Sequence, residues 1–324
     1  MKKENLRIVY MGTPDFAVES LRCLVEGGYN VVGVVTGPDK AVGRHGSVLQ
    51  PTPVKQYAIE HGLTVLQPDK LKDETFIEEL RSLQADLQIV VAFRMLPEVV
   101  WAMPRFGTFN LHASLLPQYR GAAPINWAVI NGDKETGVTT FFLKHEIDTG
   151  AVIRQVRVPI SDTDCVGDVY DRLMMLGGCV VCDTVDAIID GTVTTTPQEQ
   201  MMPEEALRPA PKIFKDTCRI GWGKPVKLIY DFVRGLSPYP AAWTMLVVPD
   251  GIEQMVKIYE ASIVSVHRTG LPCGTIETDG RHYIHVHTSE GVLSLRTLQL
   301  SGKKRMGVED FLRGFKLPNG SKML

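Results

Sequence analysis

Short apolar runs alternate with amphipathic stretches through the first 190 residues, and this alternation restricts the fold more than any other feature of the chain. Residues 6–11 (LRIVYM) read as a buried strand, 12–15 as a turn and 16–26 as a helix. A second strand is expected over 30–36, a helix over 54–62, and further strands over 86–93, 108–112 and 137–143. A last helix is expected over 165–189, ended by Gly191. Strands that alternate with helices place the strands parallel in one sheet, with helices covering both faces.

The composition then changes. Residues 192–211 (TVTTTPQEQMMPEEALRPAP) are rich in Thr, Pro and Glu and show no period, which reads as a linker. After a helix over 226–236, five β-branched, turn-punctuated runs follow at 243–248, 256–266, 274–277, 282–287 and 292–300. Five short strands with Gly and Pro between them suggest a small barrel or sandwich. The expected division is therefore a domain at 1–191, a linker at 192–211 and a second domain at 212–324.

Charge follows the same division. Residues 209–324 carry 16 Lys and Arg against 10 Asp and Glu, a net +6, whereas 1–208 carry 19 against 27, a net −8. An acidic half joined to a basic half suggests that the second meets a polyanion, although a chance imbalance also accounts for it. The apolar run at 8–11 is too short for a signal-peptide core. No stretch approaches the roughly 18 apolar residues of a membrane span, so the expected setting is cytoplasmic, without a membrane partner. Of the six cysteines, Cys179 and Cys182 form a C-x-x-C, but no second pair of ligands accompanies them and they fall late in a helical pattern. They read as buried core thiols rather than a zinc or redox site.

The densest polar cluster within apolar sequence is 109–117 (FNLHASLLP). Side chains alternate along a strand, so Asn110 and His112 point to one side. They stand at the strand's C-terminal end, where open α/β sheets bind ligands. A polar turn at 145–150 (HEIDTG) supplies a carboxylate, Asp148. An Asn amide can stabilise an oxyanion, a His can take up an amine proton, and a neighbouring carboxylate can orient the ring. Together these would serve acyl transfer to an amine without a nucleophilic Ser or Cys. The plain alternative is edge-strand polar residues and an ordinary turn.

The pattern N-L-H-x-S-L-L-P-x-x-R-G-A-A-P followed by D-T-G resembles the formyltransferases that use 10-formyltetrahydrofolate. The resemblance implies Asn110, His112 and Asp148 as catalytic residues and Ser114, Leu115, Leu116 and Pro117 as the folate loop. It implies a Rossmann-like, mostly parallel sheet with helices on both faces, followed by a smaller OB-like β-barrel. Residues 11–17 (MGTPDFA), 208–213 (RPAPKI) and 234–243 (RGLSPYPAAW) are similar to the branch of that family that formylates methionyl-tRNA. The expected partners are then the folate formyl donor and the initiator methionyl-tRNA, with tRNA contacts at Arg44, Lys303, Lys304 and Arg305. The expected enzyme is a monomer that uses no metal. Two departures stand out: 43–47 reads GRHGS, longer and less basic than usual, and Arg94 stands where a small residue is common. An N-formyltransferase of amino sugars and a catalytically idle RNA-binding protein are the competing readings. His282, His285 and His287 invite a metal reading, but on a strand 282 points away from the other two, and exposed or half-buried strand residues explain them.

Overall fold

The computed structural model describes residues 1–42 and 48–324. The chain runs β1 (Ile8–Gly12), α1 (Asp15–Glu26), β2 (Val31–Val35), β3 (Lys40–Val42), β4 (Val48–Gln50), α2 (Pro53–Glu60), β5 (Val65–Leu66) and α3 (Glu74–Ser82). Then come β6 (Leu87–Val91), α4 (Glu98–Trp101), β7 (Thr108–His112), α5 (Pro124–Ile130), β8 (Glu135–Phe142), β9 (Val152–Pro159) and α6 (Val166–Asp190). The chain closes with α7 (Val226–Leu236), β10 (Ala242–Val247), β11 (Glu253–Ser265), β12 (Ile276–Thr278), β13 (Ile284–His287), β14 (Val292–Leu300), β15 (Met306–Gly307), α8 (Val308–Gly314) and β16 (Lys322–Met323).

Seven strands form the first sheet in the order β5-β2-β1-β6-β7-β8-β9. The pairs from β5 to β7 are parallel and β7 pairs antiparallel with β8, so the sheet is mixed but mostly parallel. β1 and β6 are buried at every position, as expected of strands covered on both faces. On one face Val9, Met11, Val35 and Val90 pack with Phe76 and Leu80 of α3 and Val100 of α4. On the other, Thr140 of β8 bonds Thr184 of α6 at 2.9 Å. The chain steps from β1 outward to β2 and β5, then returns to β6 and β7 on the other side of β1. This reversal puts the C-terminal ends of β1, β6 and β7 along one edge, where such sheets bind ligands.

The second sheet is antiparallel, in the order β12-β13-β14-β11-β10-β16 with β15 on β14. A bridge between Thr275 and Lys322 joins its two ends, making a nearly closed barrel. Gly274 permits that closure: its φ is +83°, and a Cβ there would lie 2.1 Å from the Met323 carbonyl oxygen. The core holds Trp222, Ile229 and Val233 with Val256, Ile258, Leu293 and Leu295.

The chain divides into two compact units, 1–121 with 136–158 and 170–209, and 122–135 with 159–169 and 210–324. The second unit thus takes in two segments that precede the stretch read as a linker, and the first takes in most of that stretch. Side-chain bonding explains the first of these. Asn126 of α5 donates to the Gly235 carbonyl at 2.8 Å, and Trp127 donates to that of Pro211 at 2.8 Å. Arg234, 5% exposed, donates to Asp231 at 2.8 Å and to the carbonyl of Asp164 at 2.9 Å, tying 159–169 to α7.

Candidate active site

β7 carries Asn110 and His112, whose registered neighbours on β8 are Phe141 and Thr139. The His112 ring stands edge-on to Phe141, 6.5 Å between centroids, and Phe141 packs with Leu116 and Val152. His112 is 7% exposed, and its Nε2 lies 2.8 Å from the carbonyl oxygen of Tyr119. A carbonyl only accepts, so Nε2 carries the proton and Nδ1 of the neutral ring keeps its lone pair. The Oδ1 atom of Asn110 is buried with no hydrogen-bond partner among the described residues. Most buried polar atoms are paired, and one that is not calls for a cause.

The segment after β7 folds back on itself. The Thr139 hydroxyl donates to the Ser114 carbonyl at 2.6 Å and accepts from the Leu116 amide at 3.3 Å. Gln155 adds bonds to the Leu116 carbonyl and to Thr139, at 2.9 and 3.0 Å. Ser114 donates to the Gln118 carbonyl at 2.7 Å, and Ser114, Leu116 and Pro117 are buried while Leu115 is half-buried. The side chains of this S-L-L-P loop are thus mostly committed to the protein itself.

Asp148 reaches the same segment from the β8–β9 connection, its Oδ2 accepting from the Gly121 amide at 3.0 Å. Its φ is +53°. The following Gly150 is obligatory, because a Cβ there would lie 1.6 Å from the Phe142 carbonyl oxygen. No hydrogen bond or ion pair joins Asp148 to His112 among the described residues. The two side chains bond the same turn instead: the ring donates to the Tyr119 carbonyl, and the carboxylate accepts from the Gly121 amide.

The stretch read as a featureless linker carries residues that the sequence analysis missed. Thr196 and Val152 exchange backbone bonds of 2.8 Å. Gln198, fully buried, donates to the carbonyls of Asp148 and Gly150, each at 2.9 Å, and accepts from Arg120 at 2.6 and 3.0 Å. The Arg208 carbonyl accepts from the Tyr119 amide at 2.8 Å. A polar residue amid Pro and Thr was the only signal available.

Arg94 leaves the end of β6 and donates to the carbonyls of Pro68 and Asp69, at 2.6 and 2.9 Å. An open cleft of about 450 Å³ beside it is lined by Leu71, Met95, Leu96, Pro97 and Val99 among others. Arg44 lies outside the described residues. The hairpin strands that flank it are anchored by Asp39, which meets Gln67 at 2.8 Å and Lys55 at 2.6 Å; these bonds hold its carboxyl below the usual range. Lys303, Lys304 and Arg305 are exposed. Arg305 pairs with Glu260 at 3.2 Å and covers the Tyr259 ring, whereas neither lysine forms an ion pair among the described residues.

His287 is buried on Thr269, His282 is exposed on Asp279, and His285 lies against Tyr283. Among the described residues no group of three His, Cys, Asp or Glu is placed to hold a metal ion. Cys182 is half-buried, but Cys179 is exposed, so the expectation of two core thiols holds for neither in full. The two lie three positions apart on α6, nearly a full turn, yet only Cys182 leans toward Tyr29 and the core. Among the described residues no helix is long and apolar enough to cross a membrane.

Residues 6–185 match the formyl transferase family and 212–316 match the formyl transferase C-terminal domain. The chain is 69% identical over 317 residues to the methionyl-tRNA formyltransferase of Parabacteroides distasonis, covering 98% of each. It is 66% identical to that of Bacteroides thetaiotaomicron over the whole of both chains. Among solved structures, an N-formyltransferase from Helicobacter canadensis, in complex with folinic acid and dTDP-3-aminofucose, superposes with a TM-score of 0.65 at 18% identity. That superposition covers 93% of this chain and all of the other, and it supports the fold. The chain belongs to the formyl transferase family.

Proposed function

We propose that the protein transfers the formyl group of 10-formyltetrahydrofolate to the α-amine of initiator methionyl-tRNA. Two relatives named methionyl-tRNA formyltransferase, matched over 98% or more of both chains, support the substrate pair. The observation that supports the chemistry is that His112 and Asp148 bond one turn, at Tyr119 and Gly121, while Asn110 stands two positions before His112 on β7 with its Oδ1 unpartnered among the described residues.

The donor supplies a formyl carbonyl ready for acyl transfer. The Asn110 amide offers a hydrogen-bond donor to the carbonyl oxygen as it gains charge, and such preorganised donors are worth most where water is excluded. His112 Nδ1 takes the proton that the amine loses, while Nε2 stays fixed on the Tyr119 carbonyl, and the same proton then passes to the departing folate nitrogen. Asp148 lies beside the turn, one oxygen held by the Gly121 amide. The loop at 114–117 meets the folate mostly through backbone groups and Leu115, since its other side chains face inward. The basic stretch 209–324 and the loop around Arg44 hold the tRNA, whose phosphates Lys303 and Lys304 meet. The enzyme acts as a cytoplasmic monomer.

The test is incubation with 10-formyltetrahydrofolate and charged initiator tRNA, reading formyl-methionine by mass spectrometry. A parallel arm supplies a nucleotide-linked amino sugar. Formylation of the sugar and not of the methionyl group would overturn the assignment.

A further inference from the structure

We infer that Gln198 is a positioning residue, which sets the backbone that carries Asp148 and locks it to the turn at 120–121. The inference rests on the functional reading above. Gln198 comes from the 3-10 turn Gln198–Met201, outside every motif that marks the family resemblance. Its side chain is fully buried and makes four hydrogen bonds. Carbonyls only accept and a guanidinium only donates, so the amide's orientation is settled. Nε2 serves Asp148 and Gly150, and Oε1 serves Arg120, which saturates the amide's two donors and two lone pairs.

The arrangement closes a small circuit. The Asp148 carboxylate holds the Gly121 amide, the Asp148 carbonyl holds Gln198, and Gln198 holds Arg120, the neighbour of Gly121. A non-glycine residue at a φ of +53° persists only where its surroundings over-determine it. Among the described residues, Gln198 is the side chain that bonds this stretch of backbone from outside the β8–β9 connection. The strap that bears it is pinned on both sides, at Thr196 to Val152 and at Arg208 to Tyr119, whose carbonyl holds the His112 ring. Displacing Gln198 therefore shifts Asp148 relative to His112 without touching either side chain.

The experiment compares the parent with Gln198→Ala and Gln198→Glu, normalising turnover to sites that bind 5-formyltetrahydrofolate. A displacement near 1 Å costs catalysis about 100-fold, so kcat per site should fall about 10- to 100-fold, with the KM for methionyl-tRNA nearly unchanged. In Gln198→Glu an ionised carboxylate still accepts from Arg120 but faces two carbonyls with no donor. Protonation restores one donor, so the ratio of its kcat to the parent's should rise as pH falls, while that of Gln198→Ala stays flat. Amide exchange at Gly121 and across 148–150 should quicken in Gln198→Ala with no substrate present. Parent-like kcat per site in both variants, or a flat ratio for Gln198→Glu, overturns the inference. Unchanged exchange at Gly121 overturns it even if the parent fails to formylate methionyl-tRNA, an outcome that would count separately against the proposed function.

Discussion

Replacing Asn110 by Ala should move activity and stability in opposite directions. The Asn110 Oδ1 is buried without a partner, and an unsatisfied buried polar atom costs about 1–3 kcal/mol. The side chain is half-buried and makes no hydrogen bond among the described residues, so truncation gives up few contacts. The variant should therefore unfold about 1 kcal/mol harder than the parent, the sign expected where a site is built at the expense of stability. Loss of the one side-chain amide donor at the end of β7 should lower kcat about 100- to 1000-fold, or about 2.7–4 kcal/mol of transition-state stabilisation. The KM for methionyl-tRNA should change little, because the interaction forms only as charge develops. Urea unfolding monitored by circular dichroism gives the first quantity, and single-turnover formylation gives the second. Asn110→Asp keeps the shape but sets a negative oxygen against the developing charge, so it should be no faster than Asn110→Ala. A fall in kcat of less than about 10-fold would show that another group holds the oxygen. A loss of stability greater than about 1 kcal/mol would show that Oδ1 is satisfied in solution.

Three further outcomes are expected. Arg234→Met should destabilise the second unit by about 3–5 kcal/mol, the cost of stranding a buried partner, because Asp231 would keep only the half-exposed Lys227. Adding Asp231→Leu should recover part of that loss in urea unfolding, and no recovery would assign the loss to packing. Lys303→Ala with Lys304→Ala should reduce the slope of log affinity for tRNA against log salt by about 1–2. Arg305→Ala, whose charge Glu260 already shares, should reduce it less, and an equal effect would contradict that sharing. At pH 8 a thiol reagent should label the exposed Cys179 and Cys273 first. Burial pushes Cys23 up to about 11 and Cys182 up to about 12, so their reactive thiolates stay scarce until the pH rises well past 8. Peptide mapping that found Cys182 labelled as fast as Cys273 would refute this.

The parts of the fold that were legible are those whose physics is local. β1 is a continuous apolar run and β6 is one but for Gln88, because both faces are covered, and α1 and α7 carry an apolar stripe at helical spacing. α3 was missed although Asp73 caps it and Phe76 and Leu80 lie four apart on its buried face; its overall polarity masked the pattern. β9 was missed because its side chains are mostly half-exposed and alternate weakly. In the site, strand alternation puts Asn110 and His112 on one face of β7, whereas only the resemblance tied Asp148 to them. Spacing does not encode how a loop returns, so the bonds of His112 to Tyr119 and of Asp148 to Gly121 were invisible. The role of 192–209 was invisible for the same reason: it rests on backbone bonds and one glutamine whose partners lie 48 to 78 residues away.

That strap also changes how the two halves can be separated by experiment. A cut after Ile189, at the end of the helix that the sequence marks, would remove Thr196, Gln198 and Arg208, and with them the bonds that hold Asp148, Arg120 and Tyr119. A cut after Pro209 would keep the strap but strip α5 and 159–169 of α7, to which Asn126 and the Asp164 carbonyl are bonded. Loss of activity in either truncation would therefore follow from damage within a unit and would carry no information on tRNA. Point substitutions that leave both bonding networks intact, such as Lys303 and Lys304, are the perturbations whose effect on affinity can be assigned to the basic surface alone.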